Sequence, residues 1–101
     1  KQDKMIGSIS LWNFSKDKLT GEVGYDLHPD FHNKGVMSEA LKVVMNFGFT
    51  ILKFDKIEAY TQFDNKKSIG LLLKNNFILN ENKKDEDNIK NIVYEINNPL
   101  N

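Results

Sequence analysis

Apolar residues recur along the chain at two spacings, and these spacings predict its secondary structure. Period-two or aromatic-rich runs predict five strands, over residues 4–14, 22–28, 56–63, 77–79 and 89–96. Spacing of three and four predicts two helices, over residues 36–53 and 66–75. The resulting order, ββαβαββ, predicts an α/β (α+β) fold with a mixed, mostly antiparallel sheet and packed helices. The strand–helix–strand unit over 22–63 is a crossover, so it predicts a central parallel strand pair.

The phase of each pattern predicts which side chains share a face. In the first helix the predicted apolar stripe is Ala40, Val44, Phe47 and Ile51, with Met37, Leu41 and Leu52 beside it. In the second strand, Val23, Tyr25 and Leu27 alternate with Glu22, Gly24, Asp26 and His28. Two carboxylates and a histidine on one face are unusually polar for a strand of a small domain. Residues 80–88 are charged with mixed signs and predict a solvated hairpin loop.

Composition narrows the classes of function. The 101 residues predict one domain, and their formal net charge is zero. All basic residues are lysine, which disfavours a nucleic-acid partner because bidentate base and phosphate contacts favour arginine. No apolar run is long enough for a membrane span, so no membrane partner is predicted. The absence of cysteine excludes disulfides and a thiol nucleophile and fits a cytoplasmic location. The chain begins at Lys1, and we expect a segment upstream of it to be missing.

A glycine-containing loop joins the second strand to the first helix. The first backbone N–H groups of a helix lack intrahelical partners, and the helix dipole makes that end partly positive. Such an end suits a pyrophosphate; Gly35 lets backbone approach it closely and Lys34 adds a cation. Taken alone, the pattern fits an ordinary helix start equally well.

Two segments together resemble one family. His32-Asn33-Lys34-Gly35-Val36-Met37-Ser38-Glu39-Ala40 is similar to the Q/R-x-x-G-x-G/A loop of the GNAT superfamily, in the form of its RimJ/RimL-like branch. Asp64-Asn65-Lys66-Lys67-Ser68-Ile69, followed by Lys74-Asn75-Asn76-Phe77, resembles that branch's N-x-x-S-I and K-x-G-F segments. The resemblance covers about the C-terminal two-thirds of a typical family domain. It therefore predicts a single GNAT domain over residues 1–101, truncated at its N-terminus.

The resemblance implies acetyl-CoA as a co-substrate without a metal, and acetyl transfer to a primary amine. The acceptor would be a protein N-terminus, such as that of a ribosomal protein, or a small amine. Pantetheine would lie along Asp26, Leu27 and His28, with the Leu27 N–H polarising the thioester carbonyl. Asn65 would contact the cofactor, and Ser68 would lie near the thioester and the leaving thiolate. The pyrophosphate would bind backbone N–H groups of His32, Asn33, Lys34, Gly35, Val36, Met37 and Ser38.

This sequence departs from the family pattern at four positions. His32 replaces glutamine or arginine, and Met37 replaces glycine or alanine. Leu72 stands where many relatives have the tyrosine that protonates the thiolate, which leaves Ser68 or water for that step. Asn76 replaces the glycine after the second helix, a mild change because asparagine tolerates a left-handed backbone.

Each candidate catalytic residue also has a structural interpretation. Glu22 is the first choice of catalytic base, and the alternative is a solvated carboxylate. Asp26 would raise its pKa if the two carboxylates face each other. Glu58 is a weaker candidate and fits an edge charge, while Tyr25 and Tyr60 fit the core or an acceptor pocket. Trp12 and Phe14 fit sheet packing with pocket lining as the alternative, and the geometry of His28 and His32 predicts no metal site.

Two other classes of function remain open from the sequence. The chain also fits a non-catalytic acyl-CoA-binding fragment, or a module completed by a partner subunit. A small structural domain without a ligand is the third interpretation, disfavoured by the polar face of the second strand. The first strand forms a sheet edge in this scheme, which predicts a homodimer through strand pairing.

Overall fold

The structure, a computed structural model, describes residues 7–27 and 36–100 of the chain. Within these residues the elements run β1 (Gly7–Trp12), β2 (Thr20–Leu27), α1 (Val36–Thr50), β3 (Lys56–Gln62), α2 (Lys66–Lys74), β4 (Ile78–Leu79) and β5 (Asn91–Asn97). The predicted order ββαβαββ is confirmed. No helix in the described part of the chain is long and apolar enough to cross a membrane.

The strands form one five-stranded sheet in the order β1-β2-β3-β5-β4. β2 and β3 are parallel, and the other three neighbouring pairs are antiparallel. This is the predicted mixed sheet with a parallel pair near its centre. The prediction made the first strand too long, because β1 ends at Trp12 and Asn13 has a φ of 52° in the left-handed region. Residues 1–6 lie outside the described residues.

Helix α1 packs on the sheet with a phase different from the predicted one. Phe47 and Ile51 were expected in the buried stripe, but they are 48% and 63% exposed. Leu41 and Gly48 face the sheet instead. A Cβ atom on Gly48 would lie 3.1 Å from Ile57 Cδ1, a tight contact, so the glycine helps the helix to approach β3 closely. The helix also ends at Thr50 rather than at residue 53, and the Phe54 N–H closes its end by donating to the Gly48 carbonyl.

The hydrophobic core lies between the two helices and one face of the sheet. β3 occupies the middle of the sheet, and its Ile57 and Ala59 are almost fully buried. Phe63 lies beyond the end of β3 and is 60% exposed, so it does not belong to this core. The other buried apolar residues of this core are Val23, Leu41, Phe49, Phe54, Leu72, Phe77 and Tyr94.

Helix α2 begins where the sequence predicts and ends at Lys74 rather than at residue 75. Asn65 is the N-cap, and its Oδ1 accepts the Ser68 N–H at 3.1 Å. Leu72 is fully buried and Ile69 half-buried, whereas Leu73 is exposed. Asn76 adopts the left-handed conformation with a φ of 72°, which confirms the expectation for this position.

The segment between β4 and β5 is the predicted hairpin loop and is mostly exposed, but side-chain hydrogen bonds also hold it against the sheet. The Asn80 amide donates to Glu95 at 2.9 Å, and the Asn91 amide donates to Asp85 at 2.9 Å. Lys83 reaches back to β3. The last strand begins at Asn91 rather than at residue 89, and Ile89 is almost fully exposed.

Candidate active site

The parallel strands β2 and β3 part from each other halfway along their length. Their register joins Thr20 to Lys56, Gly21 to Ile57 and Glu22 to Glu58, and no pair beyond these joins the two strands. β2 nevertheless continues to Leu27 and β3 to Gln62. Backbone groups on the facing edges of the two strand ends are therefore left without ladder partners and are available to a ligand. We call this region the strand opening.

The predicted cofactor residues flank the strand opening along the chain. Asp26 and Leu27 are the last residues of β2, and Val36, Met37 and Ser38 are the first three of α1. α1 therefore starts at the position that the sequence predicts for the anion site, and its first N–H groups have no intrahelical acceptor. His28, His32, Asn33, Lys34 and Gly35 lie outside the described residues, so their roles stay predictions.

Ser38 links the start of α1 to the end of α2. Its side chain is buried, and its Oγ accepts a hydrogen bond from Asn75 Nδ2 at 3.2 Å. The same amide donates to the Leu71 carbonyl at 2.9 Å. These contacts fix the end of α1 that is nearest in sequence to the predicted phosphate loop. Among the described residues, no group donates to the buried Asn75 Oδ1.

Ser68 lies in the first turn of α2 and contacts β2 through its hydroxyl. Its Oγ is 2.6 Å from the hydroxyl of Tyr25, three residues past the last β2–β3 pair. Ser68 is 5% exposed and Tyr25 is half-buried. Burial raises the pKa of Tyr25, and the hydrogen bond with Ser68 opposes that shift. The sequence had suggested the core or an acceptor pocket for Tyr25, but not this contact.

Three carboxylates lie side by side across the sheet. Glu22 is opposite Glu58 in the β2–β3 register, and Glu58 is opposite Glu95 in the β3–β5 register. Residues directly opposite share a face with Cβ atoms about 5 Å apart, at which distance like charges repel. Since Glu58 alternates with buried Ile57 and Ala59, the row points away from the face that packs on α1.

Glu22 is the member of this row nearest the strand opening. Burial raises the pKa of its carboxyl, the hydrogen bond from Asn13 opposes the shift, and the charges of Glu58 and Asp85 add to it. Asn13 Nδ2 donates to Glu22 Oε1 at 3.1 Å. The like-charged neighbour in the structure is thus Glu58, whereas the sequence had suggested Asp26, whose side chain lies outside the described atoms. A raised pKa makes the ionised carboxylate a better proton acceptor.

Glu58 is not the edge charge that the sequence suggested. It lies on a central strand and is 5% exposed, and Lys83 Nζ donates to its two oxygens at 2.9 and 2.7 Å. This hydrogen bond is the main reason why the pKa of Lys83 is raised. A carboxylate held by a lysine in this way is less available as a base than Glu22. Only the alternation along β3 could have shown the face on which Glu58 lies.

Tyr60 follows Glu58 on the same face of β3. Its hydroxyl has a raised pKa because of burial and, to a smaller extent, the charge of Glu58. The sequence left Tyr60 open between core and pocket, and it is half-buried. Within residues 7–27 and 36–100 no group of three or more His, Cys, Asp or Glu side chains is arranged to hold a metal ion.

The other aromatic residues considered in the sequence lie near the edge of the sheet. Trp12 is opposite Glu22 in the β1–β2 register and is 53% exposed. Phe14 packs edge-on against Phe54, with ring centroids 5.2 Å apart. Phe14 therefore contributes to packing, as predicted, while Trp12 borders the face that carries Glu22.

Comparison with known proteins agrees with this geometry. A model of the acetyltransferase (GNAT) domain family matches residues 1–78. An uncharacterized N-acetyltransferase p20 of Bacillus licheniformis is 36% identical over 70 residues, which are 69% of this chain and 39% of that protein. The ribosomal-protein-serine acetyltransferase of Escherichia coli is 29% identical over 79 residues, or 78% of this chain and 44% of that protein.

A solved structure extends the likeness to nearly the whole chain. The ribosomal-protein-S5-alanine acetyltransferase of Vibrio fischeri superposes with a TM-score of 0.80 at 24% identity, covering 95% of this chain and 56% of that one. At this identity the likeness concerns the fold. The matched parts of the chain cover less than half the length of the two curated relatives described above. The family match over most of the chain shows that this protein belongs to the GNAT acetyltransferase family.

Proposed function

We propose that the protein is an acetyl-CoA-dependent N-acetyltransferase that transfers an acetyl group to a primary amine. The observation that carries this proposal is the strand opening, because two parallel strands that part next to a helix N-terminus leave room for an extended ligand with an anionic end. Pantetheine would lie along the end of β2, and the pyrophosphate would lie on the backbone N–H groups of residues 32–38. Membership of the family supports acetyl-CoA as the donor.

The proposed chemistry uses three groups near the strand opening. Glu22 takes the proton of the acceptor ammonium, a role that its raised pKa favours. The Leu27 N–H polarises the thioester carbonyl, so that negative charge on its oxygen is stabilised as the amine attacks. Ser68 gives a proton to the leaving thiolate. Asn65 accepts the Ser68 N–H and so fixes Ser68 in the first turn of α2. Asn65 would also contact the cofactor.

The acceptor carries a primary amine that is protonated in water. Within the described residues Lys83 pairs with Glu58 and Lys56 pairs with Glu95, so Glu22 is the carboxylate of this row without a recorded lysine partner. Its negative charge favours an ammonium group over an anion. We place a protein N-terminus first because a ribosomal-protein-serine acetyltransferase is among the similar proteins. A small amine is the alternative. The cytoplasm is the proposed location, in keeping with the absence of cysteine.

The test combines binding and turnover. The purified chain is titrated calorimetrically with acetyl-CoA beside a Gly35→Glu variant, which would place bulk and negative charge against the pyrophosphate. Gly70→Glu is the matched control, because Gly70 is exposed and a Cβ atom there meets nothing within 4 Å. We expect the parent and the Gly70 variant to bind and the Gly35 variant to lose binding.

Turnover separates an enzyme from a binding module. Release of free coenzyme A thiol is measured with a peptide that has a free N-terminus, with a polyamine, with an amino acid and with an aminoglycoside. Amine-dependent release supports the transferase. Binding without release under any of these conditions would favour a non-catalytic acyl-CoA-binding module. Absence of binding by a folded parent chain would contradict both.

We further propose that the protein forms a homodimer. Among the described strands, β1 pairs on one side only, with β2. In the 101-residue chain, a second copy of the same strand can pair with its other side.

A further inference from the structure

Two hydroxyl groups meet at the strand opening. Tyr25 projects from β2 and Ser68 from α2, which follows β3, so the contact joins the two sides of the opening. The oxygens are 2.6 Å apart, a short distance for two neutral hydroxyls. The pair lies on the opposite face of the sheet from the three carboxylates. Tyr25 shares its face with buried Val23, whereas Gly24 lies on the other face.

One proton must lie between the two oxygens, and the phenol is its better source. A phenol is a stronger acid than an aliphatic alcohol, and a serine oxygen can accept while its own proton points elsewhere. Burial keeps Tyr25 protonated to a higher pH than a tyrosine in water, so it remains a donor throughout the neutral range. With Tyr25 donating, the proton of Ser68 is left for a third atom.

The first turn of α2 holds Ser68 in place for such a contact. Its N–H donates to the Asn65 side chain at 3.1 Å, and its side chain is 5% exposed. Within the described residues the recorded hydrogen-bond partner of its Oγ is Tyr25 alone. One turn further along, Leu72 is fully buried and apolar, so it has no proton to give.

We propose that Tyr25 is a positioning residue for acetyl transfer, acting through Ser68, and that the pair delivers the proton that the leaving thiolate of coenzyme A requires. This inference rests on the proposed function. When the tetrahedral intermediate collapses, the C–S bond breaks and its electron pair stays on sulfur. The Ser68 proton moves to that sulfur, the Tyr25 proton moves to Ser68, and water returns a proton to Tyr25. No serine alkoxide is left, which is the advantage of the pair over Ser68 alone.

The test compares Tyr25→Phe and Ser68→Ala with the parent chain, using the acceptor that gives the highest turnover. Tyr94→Phe is the control for loss of a phenol from the core, since Tyr94 is buried on β5 and has no recorded hydrogen bond to Ser68 within the described residues. We expect Tyr25→Phe to lower kcat roughly tenfold or more, with little change in the KM for acetyl-CoA or in Tm. The double variant should be no slower than Ser68→Ala, because residues that act as a unit are not additive.

A second acetyl donor distinguishes proton delivery from a structural role. The leaving thiol of S-(4-nitrophenyl) thioacetate is more acidic than coenzyme A and needs no proton when it departs. The loss caused by Tyr25→Phe should therefore shrink with this donor. Equal losses with both donors, or a Tyr25→Phe variant as fast as the parent, would overturn the inference while the proposed function stands. A parent chain without turnover would overturn both.

Discussion

Glu58 is a buried carboxylate whose charge is compensated by Lys83, a residue from a distant part of the chain. Removing one partner of such a pair leaves a charge without compensation, which costs more than the pair itself contributes. The side chain of Lys83 is 42% exposed, so solvent screens part of its attraction to Glu58.

We predict that Lys83→Met lowers the free energy of unfolding by about 1–3 kcal/mol, because Glu58 loses its hydrogen-bonded cation. Combining it with Glu58→Gln should recover part of the loss and give a coupling energy of about 0.5–3 kcal/mol. Urea unfolding at pH 7 of the parent, the two single variants and the double variant measures this coupling energy. Lys84→Met is the control, and its effect should stay within about 0.5 kcal/mol, as for surface substitutions in general. Additive single effects would show that the pair is not coupled.

Sequence alone indicated Glu22 but not the Glu58–Lys83 pair. Glu22, like the N-cap Asn65, is recognised from local information, since alternation along one strand or a cap before one helix decides its place. Lys83 lies 25 residues from Glu58 in a segment that composition alone describes as solvated. Its contact depends on how the connection between β4 and β5 folds back, and no periodic pattern encodes that. The Tyr25–Ser68 contact, 43 residues apart, escaped prediction for the same reason.

At the scale of elements, β2 and the connection between α1 and β3 meet at a glycine. A Cβ atom on Gly21 would lie 2.5 Å from Cε2 of Phe54, a ring that is 1% exposed. We predict that Gly21→Ala lowers the free energy of unfolding by about 1–3 kcal/mol, because the packed ring has no room to move. Chemical denaturation of the variant and the parent checks the sign and size.

Gly70 supplies the matched control for this prediction. It lies inside α2, and a Cβ atom there meets nothing within 4 Å. Gly70→Ala should therefore stabilise the protein by up to about 1 kcal/mol through helix propensity. If Gly21→Ala also proved neutral or stabilising, the close approach of β2 to Phe54 would be wrong.

The elements themselves were predictable, and the phase of α1 was not. α1 carries apolar residues on more than one side, including Leu41, Val43, Phe47 and Phe49, so several stripes fit the helical period equally well. The deciding contact is Gly48 against the sheet, a position that a hydrophobic pattern does not count as apolar. The cap of α2, by contrast, follows from an asparagine three residues before a serine, which local geometry alone satisfies.

For the whole molecule, the crossover rule predicts the parallel pairing of β2 and β3, which creates the strand opening. A strand–helix–strand unit predicts a parallel pair, and β2 and β3 form that pair. Where the pair parts depends on the whole sheet, since β3 keeps its antiparallel partner β5 along its full length while β2 turns away. The strand opening is therefore a property of the assembled sheet, and the sequence located it only through the family resemblance.

The position of β1 at the edge of the sheet determines how two copies of this chain can associate. β1 pairs with β2 on one side, and pairing of two copies of β1 about a two-fold axis would extend the sheet across both molecules. We expect sedimentation equilibrium to show a dimer that dissociates on dilution. Ser10→Lys, on the exposed middle of β1, should weaken the dimer, because the two introduced charges would lie close together and edge lysines oppose strand pairing.

Asn46→Lys adds the same charge on the exposed side of α1 and should leave association unchanged. A parent chain that stays monomeric at every concentration would refute the dimer, and equal effects of both lysines would place its interface elsewhere than β1.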